Sequence, residues 1–195
     1  MTDTTLVADV DGVPVRTGHL IGGVWVGSPT TFESRSPLGW DDMLLANIAR
    51  GDAGTAAASV GAAVEGFTTW GRYSRAERAE VLHRLADLIE ANNEQIAHVE
   101  CLDMGFLQES MKLRLVARGA VNFRLYADLI VEHDDRRWDA KSMDNHVIRM
   151  PAGPAAVITP WNAPFMLSTW KLAPALAAGN TVIHKPAEWS PLTAA

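Results

Sequence analysis

Residues 155–188 read AAVITPWNAPFMLSTWKLAPALAAGNTVIHKPAE, and this stretch decides the fold. A short apolar run, Ala155 to Thr159, breaks at Pro160-Trp161-Asn162-Ala163-Pro164. A longer apolar segment follows and stops at Gly179-Asn180. A β-branched run, Thr181-Val182-Ile183, then ends at His184-Lys185-Pro186. The order strand, loop, helix, strand predicts a βαβ unit of a parallel sheet. Asn162, Lys185 and Glu188 all fall just past the carboxyl ends of the two strands, the edge at which open α/β sheets take their ligands.

Outward from this unit, the preceding chain reads as strands and then helices. Residues 1–18 are polar without a clear period and are expected to form a loose arm. His19 to Gly27 predicts a short hairpin, and Thr31 to Ser36 and Leu44 to Ala49 two more strands about a Pro37-Leu38-Gly39 turn. Asp52 can cap a helix running to about Trp70. Ser74-Arg75-Ala76-Glu77 is a capping box, in which the Ser side chain bonds forward and the Glu side chain bonds back. Its helix runs to about Ala91, with Val81, Leu82, Leu85, Leu88 and Ile89 on one face. A further helix spans Glu94 to Asp103 and stops at Gly105. A long one covers roughly Gln108 to Ile130, with Val116, Ala120, Phe123, Ala127 and Ile130 in register. Residues 132–144 predict a loop and Asn145 to Met150 a strand. The organisation expected is an arm (1–18), strands and helices of a first part (19–131), a loop and strand (132–151) and the βαβ unit (152–195).

Composition limits the function. The 195 residues are 48% hydrophobic and 21% charged, as in an ordinary globular protein with a sizeable core. A net charge of −6 with only Arg136-Arg137 as a basic pair near a loop argues against a nucleic-acid partner. No apolar run approaches the ~20 residues of a membrane span. Met1 to Val10 carries Asp3 and Asp9 and no basic start, unlike a secretory signal. One cysteine makes no internal disulfide, and a reducing, cytoplasmic setting is expected.

The βαβ stretch resembles the NAD(P)-dependent aldehyde dehydrogenase superfamily. The residues that carry the likeness are Ile158, Pro160-Trp161-Asn162, Pro164, Trp170-Lys171, Ala173 to Leu176, Ala178 to Thr181 and Lys185-Pro186-Ala187-Glu188, without a gap. Ile21 to Val26, Arg78 to Glu90 and Leu102-Asp103-Met104-Gly105 are similar to earlier parts of that family. The resemblance implies an α/β fold containing an incomplete Rossmann-like parallel sheet. It also implies oxidation of an aldehyde to an acid with NAD, NADP being less favoured, through a thiohemiacetal and a thioester. Asn122-Phe123-Arg124 and Trp161 to Met166 look closest to the branch that acts on semialdehydes from aromatic-ring cleavage. Homo-oligomers are implied as well, with Asn145 to Met150 resembling part of the oligomerisation region. Phe106 and Met150 depart from the family pattern, where Lys and Glu are common.

Each candidate residue has a plain alternative. A side-chain amide can stabilise a tetrahedral oxyanion, and the resemblance implies that role for Asn162. From position alone, Asn162 reads first as a loop residue bonding its own backbone. Glu188 can accept hydrogen bonds from both ribose hydroxyls and Lys185 can donate to one, as the Lys-Pro-Ala-Glu match implies. Taken alone they are solvated loop charges. Ile158, Thr159, Pro160 and Trp161 would line the same cleft, although Trp161 could equally be a core aromatic. Cys101 lies in a predicted apolar helix and reads as a packed thiol. His83, His98, His133, His146 and His184 show no metal-like spacing. Trp70, Trp138, Trp170 and Trp189 read as core or interface residues. The pyrophosphate turn, the general-base Glu and the nucleophilic Cys of the family have no counterpart in these residues. The chain alone is therefore expected to be an inactive amino-terminal part, its last helix signal at Ser190-Pro191 cut short. The competing reading is a catalytically silent fragment that docks on a full-length sibling.

Overall fold

The computed structural model describes residues 6–39, 43–133 and 135–194. Three antiparallel hairpins lead: β1 (Val7–Val10) with β2 (Val13–Arg16), β3 (His19–Ile21) with β4 (Val24–Val26), and β5 (Thr31–Arg35) with β6 (Leu44–Ala49). The first corrects the expected arm. Residues 1–5 lie outside the described residues, but residues 7–16 are a paired hairpin whose Val10 and Val15 are buried. Alternation over four-residue strands is too short to stand out from polar neighbours. Val10 and Val15 pack with Leu45, Ala46, Ile48, Val99 and Leu192 in a small core.

Three helices follow their sequence signals. In α1 (Ala53–Trp70) the Asp52 carboxylate accepts the Thr55 N–H at 2.8 Å. α2 (Arg75–Ala91) opens on the complete capping box of Ser74 and Glu77. α3 (Asn93–Met104) ends on Gly105 in the left-handed conformation. Ser74→Ala should lower stability by about 1 kcal/mol, the usual value of one N-cap; a urea midpoint unchanged from wild type would contradict this.

The long helix is not uniform. One α-turn, α4 (Gln108–Ser110), passes into a π-helical stretch (Met111–Val116) and then into α5 (Ala117–Glu132). Met111 and Val116, five residues apart, are both fully buried. The i→i+5 geometry brings them to one face, which α-helical spacing would not. They join Leu82, Ala86, Phe123, Ala127, Ala173 and Ala177 in the main core, where α2, α3, α5 and the helix that carries Ala173 and Ala177 meet.

The predicted loop and strand at 132–150 also need correction. β7 (Arg137–Ala140) and β8 (Met143–His146) form an exposed hairpin, so the strand expected at Asn145 to Met150 begins at Met143 and ends at His146, and the expected loop holds its partner strand. Trp138, Met143, Ile148 and Met150 are exposed. The βαβ unit is as predicted. β9 (Ala155–Ile158) pairs in parallel with β10 (Val182–Lys185), and α6 (Pro164–Ala177) connects them. The fold is mixed α/β, with this pair as the parallel sheet among the described residues.

Local chemistry holds the unit in place. Gly179 has φ +87°, and an added Cβ would stand 2.6 Å from Pro151 Cγ, so the turn after α6 needs glycine. Asn180 Oδ1 then accepts the N–H groups of Ala152 and Gly153 at 2.8 and 3.1 Å, fixing the entry to β9. Buried Arg78 donates to the Ala177 carbonyl at 2.9 Å and joins α2 to the end of α6.

Candidate functional site

The carboxyl edge of the two-stranded sheet carries most of the predicted residues. In the β9–β10 register Ile158 lies beside Lys185, and both are exposed. Pro160, Trp161 and Asn162 continue from β9 on the surface. Lys185 Nζ donates to Glu188 Oε2 at 2.9 Å. This bond and the nearby Lys185 charge hold the Glu188 carboxyl below its ordinary value, with a smaller contribution from Arg50. A ribose would therefore meet an ionised acceptor with an ammonium beside it, a donor set that fits two adjacent hydroxyls.

Thr159 does not join this edge through its side chain. It is buried, and its hydroxyl lies 3.2 Å from Ser168 Oγ and 3.1 Å from His184 Nε2. Its N–H bonds the Lys185 carbonyl at 3.2 Å. Thr159 faces inward because side chains alternate along a strand, and Ile158 takes the outer face. His184 is half-buried and held neutral, its pKa pushed down to about 4 chiefly by burial. The histidine expected to be structural or solvated is thus structural.

Asn162 sits in the two residues between exposed Trp161 and α6. Its side chain is exposed and makes no hydrogen bond among the described residues. The alternative of a loop Asn bonding its own backbone is not what the structure shows. Trp161 is 58% exposed, so it is no core aromatic. Trp138, Trp170 and Trp189 are exposed too, and Trp70 alone of that group is partly sheltered, donating to the Leu176 carbonyl at 3.2 Å.

Cys101 is half-buried on α3, and burial raises its pKa, which disfavours the thiolate. The histidines do not converge on a metal: among the described residues no group of three or more metal-ligating side chains occurs. His83 pairs with Asp128 and His98 with Asp11.

A groove of about 610 Å³ runs between the π-helical stretch and α6, lined by Leu113, Arg114, Arg118, Val121, Met166 and Trp170 among others. Arg114 and Arg118 form no ion pair among the described residues. An uninterrupted helix was expected here, so the side chains gathered by the π stretch left no legible pattern.

The comparisons with known proteins agree with this architecture. The aldehyde dehydrogenase family profile matches residues 25–195. The chain is 40% identical over 187 residues to 2-hydroxymuconic semialdehyde dehydrogenase of Pseudomonas sp. (strain CF600), covering 91% of this chain and 38% of that protein. It is 43% identical over 139 residues to 2-aminomuconic semialdehyde dehydrogenase of Danio rerio, covering 70% of this chain and 28% of that protein. Among solved structures, apo indole-3-acetaldehyde dehydrogenase superposes with a TM-score of 0.90 at 34% identity, over 95% of this chain and 43% of that one. The P. syringae indole-3-acetaldehyde dehydrogenase AldA C302A mutant, in complex with NAD+ and IAA, also gives 0.90, over 95% of this chain and 38% of that one. The chain thus spans well under half the length of these relatives. With a matched profile over most of its residues and the βαβ edge in place, the chain belongs to the aldehyde dehydrogenase family.

Proposed function

We propose that this chain supplies the oxyanion donor and part of the adenosine pocket of an NAD-dependent dehydrogenase that oxidises a semialdehyde to a carboxylic acid. The observation that carries the reading is Asn162: an exposed amide, unspent among the described residues, at the carboxyl edge of a parallel sheet. NAD, when bound, accepts the hydride. Glu188 and Lys185 would hold its adenosine ribose, with Ile158, Pro160 and Trp161 as non-ionic walls. Thr159 can border the cleft only through its carbonyl, since its hydroxyl and N–H are spent.

The groove between the π stretch and α6 supports the semialdehyde class. A semialdehyde carries a carboxylate as well as an aldehyde, and Arg114 and Arg118 offer two guanidinium groups among the apolar walls of Leu113, Val121, Met166 and Trp170. The similarity to 2-hydroxymuconic and 2-aminomuconic semialdehyde dehydrogenases points the same way. The exposed apolar side chains of the β7–β8 hairpin and its tail suit assembly into a homo-oligomer. Among the described residues no helix is long and apolar enough to cross a membrane. A reducing cytoplasmic setting fits the single, thiol-form Cys101.

Cofactor choice tests the ribose assignment. Glu188 accepts both hydroxyls, whereas a 2′-phosphate meets a like charge and loses those bonds. Lys185 beside it softens the discrimination. In a complete enzyme carrying this chain, kcat/KM should favour NAD over NADP. Glu188→Gln should narrow that ratio by roughly tenfold, the scale of one charge-assisted hydrogen bond, mainly by gaining on NADP. An unchanged ratio would place Glu188 outside the ribose pocket.

A further inference from the structure

The loop that carries Asn162 leads into a helix without a cap of its own. α6 begins at Pro164, which has no N–H, and its N-cap is Ala163, whose side chain accepts nothing. The N–H of Phe165 is taken instead by Glu100 Oε1, 65 residues earlier on α3, at 3.3 Å. Glu100 is fully buried, and its other oxygen receives the Thr193 hydroxyl. Thr193 belongs to the turn after Ser190, and the Ser190 hydroxyl donates to the Trp161 carbonyl at 2.8 Å. One helical turn along α3, Asp103 accepts the Leu192 N–H at 3.0 Å and the Ser34 hydroxyl at 2.8 Å. The chain on both sides of Asn162 is thus tied to α3, directly at Phe165 and through residues 190–193 at Trp161.

We propose that Glu100 is the positioning residue for Asn162. This rests on reading Asn162 as the oxyanion donor. A donor must be held within about 0.5 Å of its productive place, by groups that are themselves fixed. The Asn162 side chain makes no hydrogen bond among the described residues, so its direction is set by the backbone bonds at Trp161 and Phe165. An acid buried without a cation costs stability unless its oxygens are bonded. Glu100 meets that condition through the Phe165 N–H, which borders the loop, and the Thr193 hydroxyl, three residues beyond the Ser190 that holds Trp161. Protonated or ionised, the carboxyl keeps one oxygen for the Phe165 N–H and can bridge to the Thr193 hydroxyl as donor or acceptor.

The test is made on the full 195-residue chain labelled with ¹⁵N. Glu100→Leu removes both acceptors at similar volume. It should speed exchange of the Phe165 amide by about tenfold or more, the value of one hydrogen bond, and should shift or broaden the Asn162 side-chain amide signals. Glu100→Gln keeps a carbonyl for Phe165 and an amide for Thr193, and should restore the wild-type Asn162 signals. Asn162 signals that stay in place in Glu100→Leu, or that Glu100→Gln fails to restore, would overturn the proposal. If Glu100→Leu does not fold, Thr193→Val is compared in its place: shifted Asn162 signals support the proposal and unmoved signals overturn it. The readout is the placement of the amide, so it fails separately from the oxyanion role, which the turnover of Asn162→Ala decides.

Discussion

In a complete enzyme built on this chain, Asn162→Ala should lower kcat by roughly 10²–10³, the scale of a single oxyanion donor. A thiolate attacking an aldehyde carbon pushes a full charge onto the carbonyl oxygen. A preplaced amide N–H meets that charge as it develops and meets the neutral carbonyl less strongly, so its loss appears in turnover. The Asn162 side chain is exposed and makes no hydrogen bond among the described residues, so its removal breaks no bond that holds the fold. Thermal stability should therefore stay near wild type, and the dissociation constant for NAD should change little. The measurements are kcat with a saturating semialdehyde, and NAD binding by titration. Normal turnover with weakened cofactor binding would make Asn162 a loop-former and leave the oxyanion unassigned.

Much of this site was legible because its signals are local. Two apolar runs, a proline-bounded loop and a Gly-Asn stop define β9, α6 and β10, and the capping box at Ser74 and the glycine stop at Gly105 fix the ends of α2 and α3. What escaped the sequence is long-range. Glu100 reads as one more acid on a helix, and only the fold brings it to the N–H of Phe165. Thr159 reads as a cleft wall until the alternation of β9 turns it toward Ser168 and His184. Ser190 reads as the N-cap of a coming helix, and only the fold shows that its hydroxyl donates to the Trp161 carbonyl; residues 192–194 form a turn, with Ala195 outside the described residues. The β1–β2 hairpin was read as a loose arm because its buried face is two valines, Val10 and Val15, whose partners lie on β6 and α3.

The same buried acids should give the folded chain a pH dependence of unusual sign. Burial raises Glu100 from 4.5 to about 7 and Asp103 from 3.8 to about 6. A carboxyl whose pKa is raised on folding contributes stability that is full below its unfolded pKa and is lost as pH rises through the folded one. His184 works in the opposite direction, lowered from 6.5 to about 4, so its contribution is full above 6.5 and is lost as pH falls toward 4. Between about pH 4.5 and 6 the folded state holds two carboxyl protons that the unfolded state has released, and the unfolded state holds one imidazole proton that the folded state lacks. The balance, two minus one, is one proton more on the folded chain. Stability should then fall as pH rises across that window, with the slope of roughly one proton, and level off toward pH 6.5, where Glu100 and His184 offset each other. Asp52, Glu77 and Glu188 have lowered pKa values, so their contributions are lost as pH falls through about 4.5 and below, and oppose the slope only at the acid edge of this window. Replacing both acids by their amides, Glu100→Gln with Asp103→Asn, leaves the lowered pKa of His184 to set the slope in the window. The slope should then change sign, with stability rising between pH 4.5 and 6.5. Urea midpoints of the two chains at half-unit steps of pH would show this crossing. Parallel curves would mean that Glu100 and Asp103 titrate as ordinary carboxyls, with their charges accommodated by the donors at Phe165, Thr193, Ser34 and Leu192.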